Sequence, residues 1–335
     1  MSVHTKDVQR LFLQAVLSRG VLSGKLAQTI WAKCKEAVMA ADDSIDIAHS
    51  GNVADWEAFV VKVNKELDPL DLEFRHQLEE VGGKDMYAIV NRKGDEIAQM
   101  ATDYTPGEIA FFKAMVEQIM LAPRRSFSIS SLAALREVSA LKPKSNMSKT
   151  QTEIVLASFV AKGWLLKSKR GRYSLSTRAL LELKPYLEST YADEVLECTI
   201  CSDIITKGVA CPQENCQVGM HYSCFTKYTR TRHQCTSCTK DWPADPDGMS
   251  PIGEGAVRDG EDGKRRVRKS VDSDDENDES DEEPSQPRTQ QSRKGKGKKK
   301  AADDMDVDEE EEEEDQGEES DTPVQKGKRR GSRRG

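Results

Sequence analysis

CTICSDIITKGVACPQENCQVGMHYSCFTKYTRTRHQCTSC, residues 198–238, is the stretch that decides how the C-terminal part of this chain folds. It reads Cys198-x2-Cys201-x9-Cys211-x4-Cys216-x4-His221-x2-Cys224-x10-Cys235-x2-Cys238. These ligands fall into pairs, each close enough in sequence to grip one edge of a tetrahedral zinc ion, so the set suits two ions. In a cross-braced arrangement Cys198, Cys201, His221 and Cys224 hold one zinc, and Cys211, Cys216, Cys235 and Cys238 hold the other. Interleaving the pairs lets metal replace the apolar core that so short a stretch cannot build. Protein fills every position on both ions, which leaves none open for water or substrate: the zinc is structural, and no catalytic residue is assigned.

Seven of the chain's eight cysteines lie in this stretch. The N-terminus lacks the smooth apolar core and small-residue cleavage site of a secretory signal, so the expected setting is intracellular and the thiols serve metal rather than disulfides. Cys34, remote from the cluster, reads as a small core residue. His233 stands outside a completed ligand set and reads as a surface residue, while His4, His49 and His76 have no partners in sequence.

Upstream, Val8, Leu11, Phe12, Ala15 and Val16 have the spacing of one buried helical face. Similar patterns run from Ser23 to Ala40 (Leu26, Ile30, Trp31, Val38) and from Asp55 to Leu67 (Trp56, Phe59, Val60, Val63). The alternating run Leu70 to Leu78, the turn Val81-Gly-Gly-Lys84 and the run Met86 to Val90 then predict a hairpin. Three helices followed by a hairpin is the order of a winged-helix domain. The order recurs. Thr105-Pro-Gly-Glu108 is a capping box opening a helix through Ile109, Phe112, Met115, Val116 and Ile119, stopped by Pro123. A short helix covers about Ile129 to Val138, and Ser148-x-x-Gln151 opens another through Ile154, Val155, Ala157 and Phe159. Trp164 to Lys167 and Arg172 to Leu175 flank a second wing tip, Ser168-Lys-Arg-Gly171. One last helix, about Thr177 to Tyr191, leads into the cysteine cluster.

The whole chain has 335 residues, 36% hydrophobic and 32% charged, with a net charge of −8. That charge is uneven: residues 246–335 carry 19 basic and 28 acidic side chains and no Phe, Tyr or Trp. Such a segment cannot bury enough apolar surface to offset chain entropy and is expected to be disordered. Its basic runs, Lys264 to Lys269, Arg293 to Lys300 and Lys328 to Arg334, suit nuclear import or loose DNA attachment. Ser270, Ser273 and Ser280 lie beside acids, as acid-directed phosphorylation sites do. No apolar run is long enough for a membrane span. The fold class is therefore α+β: two tandem winged-helix domains (1–102 and 103–192), a small two-zinc cross-braced RING-like domain (193–245) and a disordered acidic and basic tail (246–335).

Residues 101–190 hold 14 basic and 7 acidic side chains, whereas residues 51–100 hold 6 and 11. Lys167, Lys169, Arg170 and Arg172 sit on the second wing, with Lys142, Lys144 and Lys149 before the helix that would read a groove. Two readings fit: a solvated hairpin tip of a protein–protein adaptor, or direct, sequence-independent contact with DNA phosphates.

The order of four cysteines, one histidine and three cysteines is shared by variant RING domains and PHD fingers. PHD fingers usually carry an aromatic residue where His233 stands and a longer gap before the seventh ligand, so the cluster is similar to a variant RING. With the two preceding winged helices and the opening run Val8 to Leu22, the chain resembles the non-SMC element 1 family, subunits of the complex built on the fifth and sixth structural-maintenance-of-chromosomes proteins. The resemblance covers about residues 5–243. It implies packing of the winged helices against a MAGE-type winged-helix subunit, non-SMC element 3, and association with a kleisin, non-SMC element 4, in chromosome maintenance, recombination and DNA repair, hence a nuclear, chromatin-associated protein.

The resemblance also implies RING-type ubiquitin ligase activity promoted by the MAGE-type partner. Ile200 matches the apolar residue that touches the ubiquitin-conjugating enzyme in such ligases. Cys235-Thr-Ser-Cys238 lacks the proline common between the last two ligands, and Thr239 stands where many active ligases place a basic residue, with Lys240 one step later. The alternative is a non-enzymatic zinc-containing adaptor bridging complex subunits and DNA. Trp242 reads as a packing residue of the module.

Overall fold

The computed structural model describes residues 4–47, 52–93, 103–141, 146–243 and 245–268. The chain is α+β. Its first part runs α1 (Asp7–Leu17), β1 (Leu22–Ser23), α2 (Gly24–Ala41), α3 (Val53–Leu67), β2 (Leu72–Leu78) and β3 (Asp85–Asn91), with an antiparallel sheet in the order β1-β3-β2. Its second part repeats the sequence of elements: α4 (Pro106–Met120), β4 (Ile129–Ser130), α5 (Ser131–Ala140), α6 (Lys149–Ala161), β5 (Leu165–Lys167) and β6 (Arg172–Leu175), with sheet order β4-β6-β5.

The two halves share a local device. Ser23 ends β1 and caps α2 by accepting from the Leu26 amide; Ser130 ends β4 and caps α5 by accepting from the Ala133 amide. A serine at the N-cap satisfies an orphan helix amide while its own extended backbone stays in the sheet. The Thr105 capping box is present in full, and Pro106 stands at the start of α4, where it sacrifices no helical hydrogen bond.

In the first part Phe12, fully buried, meets Trp56, Phe59 and Phe74 edge-on, with ring centroids 5.0–6.0 Å apart. Trp31 stacks on Phe59, and the Trp56 indole N–H donates to the Tyr87 hydroxyl. Cys34 is buried in this core. The second part is built around Phe112, Phe159 and Trp164, and its apolar core continues without a break into the cysteine-rich module through Ile204, Ile205, Val209 and Met220.

The single helix expected over Thr177 to Tyr191 is two, α7 (Thr177–Glu182) and α8 (Lys184–Thr190). Pro185 cannot donate to a preceding turn, so α7 stops and α8 restarts around it. The break lets α7 lie against the first sheet, where Leu181 packs with Ala88 and Val90 and the Arg75 guanidinium donates to the Leu181 carbonyl.

The module itself contains β7 (Gly208–Ala210), β8 (Gly219–His221), α9 (Tyr222–Tyr228) and β9 (Ser250–Ile252), with sheet order β8-β7-β9. Residues 246–268, expected to belong to a disordered tail, instead pack on the module and the second part. Met249 and Ile252 are buried, β9 pairs with β7, and the strap that follows crosses the second part. Ion pairs hold the strap where apolar area is scarce. Asp262 pairs with Arg172 (2.6 Å) and Arg266 (2.7 Å), Glu261 with Arg124, and Arg265 with Glu117 and Glu137. The Gln118 amide brackets the Arg266 backbone, donating to its carbonyl and accepting from its N–H. The most buried of these, Glu261, Glu137 and Arg266, hold charge only with such a partner.

Candidate metal centre

The first and last cysteine pairs are each shaped by a tight knuckle. After Cys201 and after Cys238 the chain turns through residues in equivalent left-handed conformations, Ser202 (φ 58°) and Thr239 (φ 57°). In the first knuckle Ser202 N donates to the Cys198 carbonyl and Cys198 N to the Asp203 carbonyl; in the last, Cys235 N donates to the Lys240 carbonyl. The strand pair β7–β8 delivers His221, and α9 starts immediately after it, so Cys224 arrives on the first helical turn beside the histidine.

The eight side chains come together as two clusters, Cys198, Cys201, His221 and Cys224 in one and Cys211, Cys216, Cys235 and Cys238 in the other. Within each, the ligand atoms all lie within 4.8 Å of one another. The first and third pairs share one cluster, the second and fourth the other, which is a cross-brace. Sulfur separations are 3.6 Å for Cys211–Cys238 and for Cys216–Cys235, and 3.8 Å for Cys201–Cys224. A disulfide would need about 2.05 Å. Sulfurs about 2.3 Å from one tetrahedral ion lie about 3.8 Å apart, so the donor set fits a zinc-sized cation.

Electrostatics within the clusters point the same way. Hydrogen bonding from Cys224 draws the Cys198 thiol down to about 3, while burial pushes Cys201 up to about 11. In the second cluster the Lys240 amide lowers Cys238 to about 7, and burial raises Cys235 to about 12. Without a cation the thiols must share protons; a divalent ion at the centre lets all of them ionise.

The surroundings orient the ligands. His221 turns Nδ1 toward Cys201 (3.3 Å) and Cys224 (3.9 Å), and its Nε2 lies 3.1 Å from the Ile204 carbonyl. A carbonyl only accepts, so Nε2 carries the proton and Nδ1 is left free to ligate. The Trp242 indole N–H donates to Cys211 Sγ at 3.4 Å while its ring packs on Phe225 and Tyr228. Trp242 is therefore a packing residue with a second task that sequence alone did not reveal.

Other side chains singled out in the sequence fall as follows. Ile200, inside the first knuckle, is 46% exposed, an isoleucine facing solvent on an otherwise tightly built module. His233 is exposed. On the second hairpin Lys167, Lys169 and Arg170 are exposed, and Lys149 is exposed at the start of α6. Arg172 corrects the sequence reading: its side chain is only 10% exposed, paired with Asp262 and donating to Ser128, so the strap has taken it from any phosphate. Lys142, Lys144, His49 and the tail serines and basic runs from Lys269 onward lie outside the described residues. Among the described residues no helix is long and apolar enough to cross a membrane.

Comparison with known proteins gives these arrangements a context. Residues 9–183 match the family model described as Nse1 non-SMC component of SMC5-6 complex, and residues 198–238 match a RING-like domain. The chain is 31% identical over 248 residues to the Non-structural maintenance of chromosomes element 1 homolog of Xenopus laevis, spanning 72% of this chain and 85% of that protein. With the human protein of the same name it shares 32% identity over 241 residues, 71% and 84% of the two chains. A chain in a solved Nse1-Nse3-Nse4 complex superposes with a TM-score of 0.61 at 29% identity, covering 73% of this chain and all of that one. The chain therefore belongs to the family of Nse1 non-SMC components of the SMC5-6 complex.

Proposed function

We propose that this protein is the RING-type ubiquitin ligase subunit of an SMC5-6 complex, acting in DNA repair, recombination and chromosome maintenance in the nucleus. The helical units, 1–102 and 103–192, are read as winged-helix domains that dock an Nse3-like, MAGE-type subunit and associate with an Nse4-like kleisin. The module that begins at residue 193 is read as a variant RING holding two structural zinc ions on Cys198, Cys201, His221, Cys224 and on Cys211, Cys216, Cys235, Cys238. When bound, zinc supplies rigidity: it fixes loops that would otherwise be unfolded.

The observation that carries this reading is Ile200, exposed on a knuckle tied at both ends to a metal cluster. Held on a knuckle beside the first cluster, its side chain is available to an apolar partner surface. The partner proposed is a ubiquitin-conjugating enzyme. The ligase then works by orientation: the knuckle holds the conjugating enzyme so that its thioester meets a substrate lysine, and no residue of this chain bonds to ubiquitin.

In a reconstituted chain-formation assay with the MAGE-type subunit present, Ile200→Ala is expected to keep two zinc ions and cut ubiquitin transfer at least about tenfold, the loss of roughly 1.4 kcal/mol of contact. Unchanged transfer with zinc intact overturns the assigned surface. The second reading, a non-enzymatic adaptor bridging subunits and DNA, draws on the threonine at 239 in place of a cation and on the exposed Lys167, Lys169 and Arg170. It predicts no effect of Ile200→Ala, but weaker duplex binding in Lys169→Glu/Arg170→Glu, with the salt slope reduced by about 2.

A further inference from the structure

The turn between β2 and β3 contains two adjacent glutamates with different tasks. Glu79 organises its own turn: its carboxylate accepts from the Val81 and Gly82 amides, and its backbone pairs with Lys84 and Gly83. Glu80 points the other way and is 3% exposed. Its carboxylate crosses to a segment 126 residues further on, accepting from the Thr206 amide (2.5 Å), the Lys207 amide (2.9 Å), the Thr206 hydroxyl (2.9 Å) and Lys207 Nζ (3.4 Å). Lys207 Nζ also donates to the Leu175 carbonyl, so the first unit, the second unit and the module meet at this one anion.

Both neighbours of Glu80's target bear on His221. Ile204, two residues before Thr206, provides the carbonyl facing His221 Nε2, and Glu80 Oε1 lies 3.9 Å from the same nitrogen. From the other side Gly83, at φ 64°, packs against Ser223, the residue just before Cys224; a Cβ at Gly83 would lie 2.7 Å from the Ser223 Cβ. The hairpin tip thus touches the loop before His221 and the helix after it.

We propose that Glu80 is a positioning residue: an internal latch by which the first helical unit orients His221 for metal binding and fixes the module's direction relative to the partner-docking units. This rests on the zinc reading above. A buried carboxylate with four donors is a strong, directional clamp. Outer-shell groups of this kind change metal affinity by about 10- to 100-fold when removed. The first cluster is latched and the second is not, so the two ions should respond differently. The Ile200 knuckle belongs to the latched cluster, so the latch also sets where a conjugating enzyme would be presented.

The test uses the full zinc-loaded chain with Glu80→Gln, which keeps size and loses charge, and Gly83→Ala, which unseats the tip without touching the carboxylate. Two readouts are taken: amide exchange at Thr206 and Lys207, and zinc release to a chromogenic chelator. The latch predicts at least about tenfold faster exchange at those amides in both variants. It also predicts one zinc of the two leaving about tenfold faster while the other keeps its wild-type rate. Unchanged exchange, or equal acceleration of both ions, overturns it. If the wild-type chain holds no zinc, the metal reading fails separately, and the exchange readout still decides whether Glu80 latches the loop.

Discussion

Chelation is expected to unfold residues 198–238 and, with them, the packing of β9, while the aromatic core of the first unit survives. The first knuckle and the last have almost no apolar interior of their own; what brings Cys198 to Cys224 and Cys211 to Cys238 is the shared ligand geometry. Structural zinc supplies on the order of 10–16 kcal/mol of apparent binding energy in small modules, a large share of what holds so short a stretch together. The second unit shares one continuous apolar core with the module through Ile204, Val209 and Met220, so loosening should spread there before it reaches the separate cluster around Phe12. Amide exchange before and after chelator shows this as lost protection over 196–252 with residues 8–74 unchanged. Cys211→Ser should reproduce it without chelator, and protection surviving both treatments contradicts the account.

The second large effect lies in the first unit. Phe12→Ala is expected to destabilise that unit by about 3–5 kcal/mol, the cost of removing a buried phenyl and leaving a cavity that its neighbours cannot close. Phe12 touches Trp56, Phe59 and Phe74, on α3 and β2, so one side chain holds three elements together. Leu11→Ala, one position earlier, should cost less than about 1 kcal/mol, since Leu11 is 37% exposed. Urea unfolding followed by aromatic near-ultraviolet circular dichroism compares the two; similar losses would mean the core is misassigned.

That pair also marks how far the sequence could be read. Helical spacing identified α1, α2 and α3, yet it grouped Leu11 and Leu26 with the core although both face solvent, and it passed over Ala27 and Lys35, which are buried. Periodicity establishes that a helix has an apolar side; the exact arc that is covered depends on which element packs against it. The strands β1 and β4 are two residues long, too short for any alternation, and only the serine caps that follow them left a trace. The break before α8 was written in Pro185 and overlooked because the flanking residues keep a helical rhythm.

The grouping of the seven cysteines and His221 into two clusters was fully legible, because spacing within each pair is set by local chain geometry. Two features were not. Averaging charge over residues 246–335 concealed a strap whose Asp262 and Arg266 are largely buried and paired with each other. Glu80 carries no local signature at all, since its partners are 126 residues away.

The most direct test of the two-zinc centre is zinc-edge X-ray absorption on the purified full chain, combined with elemental analysis of the same sample. Seven sulfurs and one nitrogen shared between two ions predict an average of 3.5 sulfurs and 0.5 nitrogen per zinc, with distances of about 2.3 and 2.0 Å. Fewer than two zinc ions per chain, or an oxygen in the average shell, would contradict it.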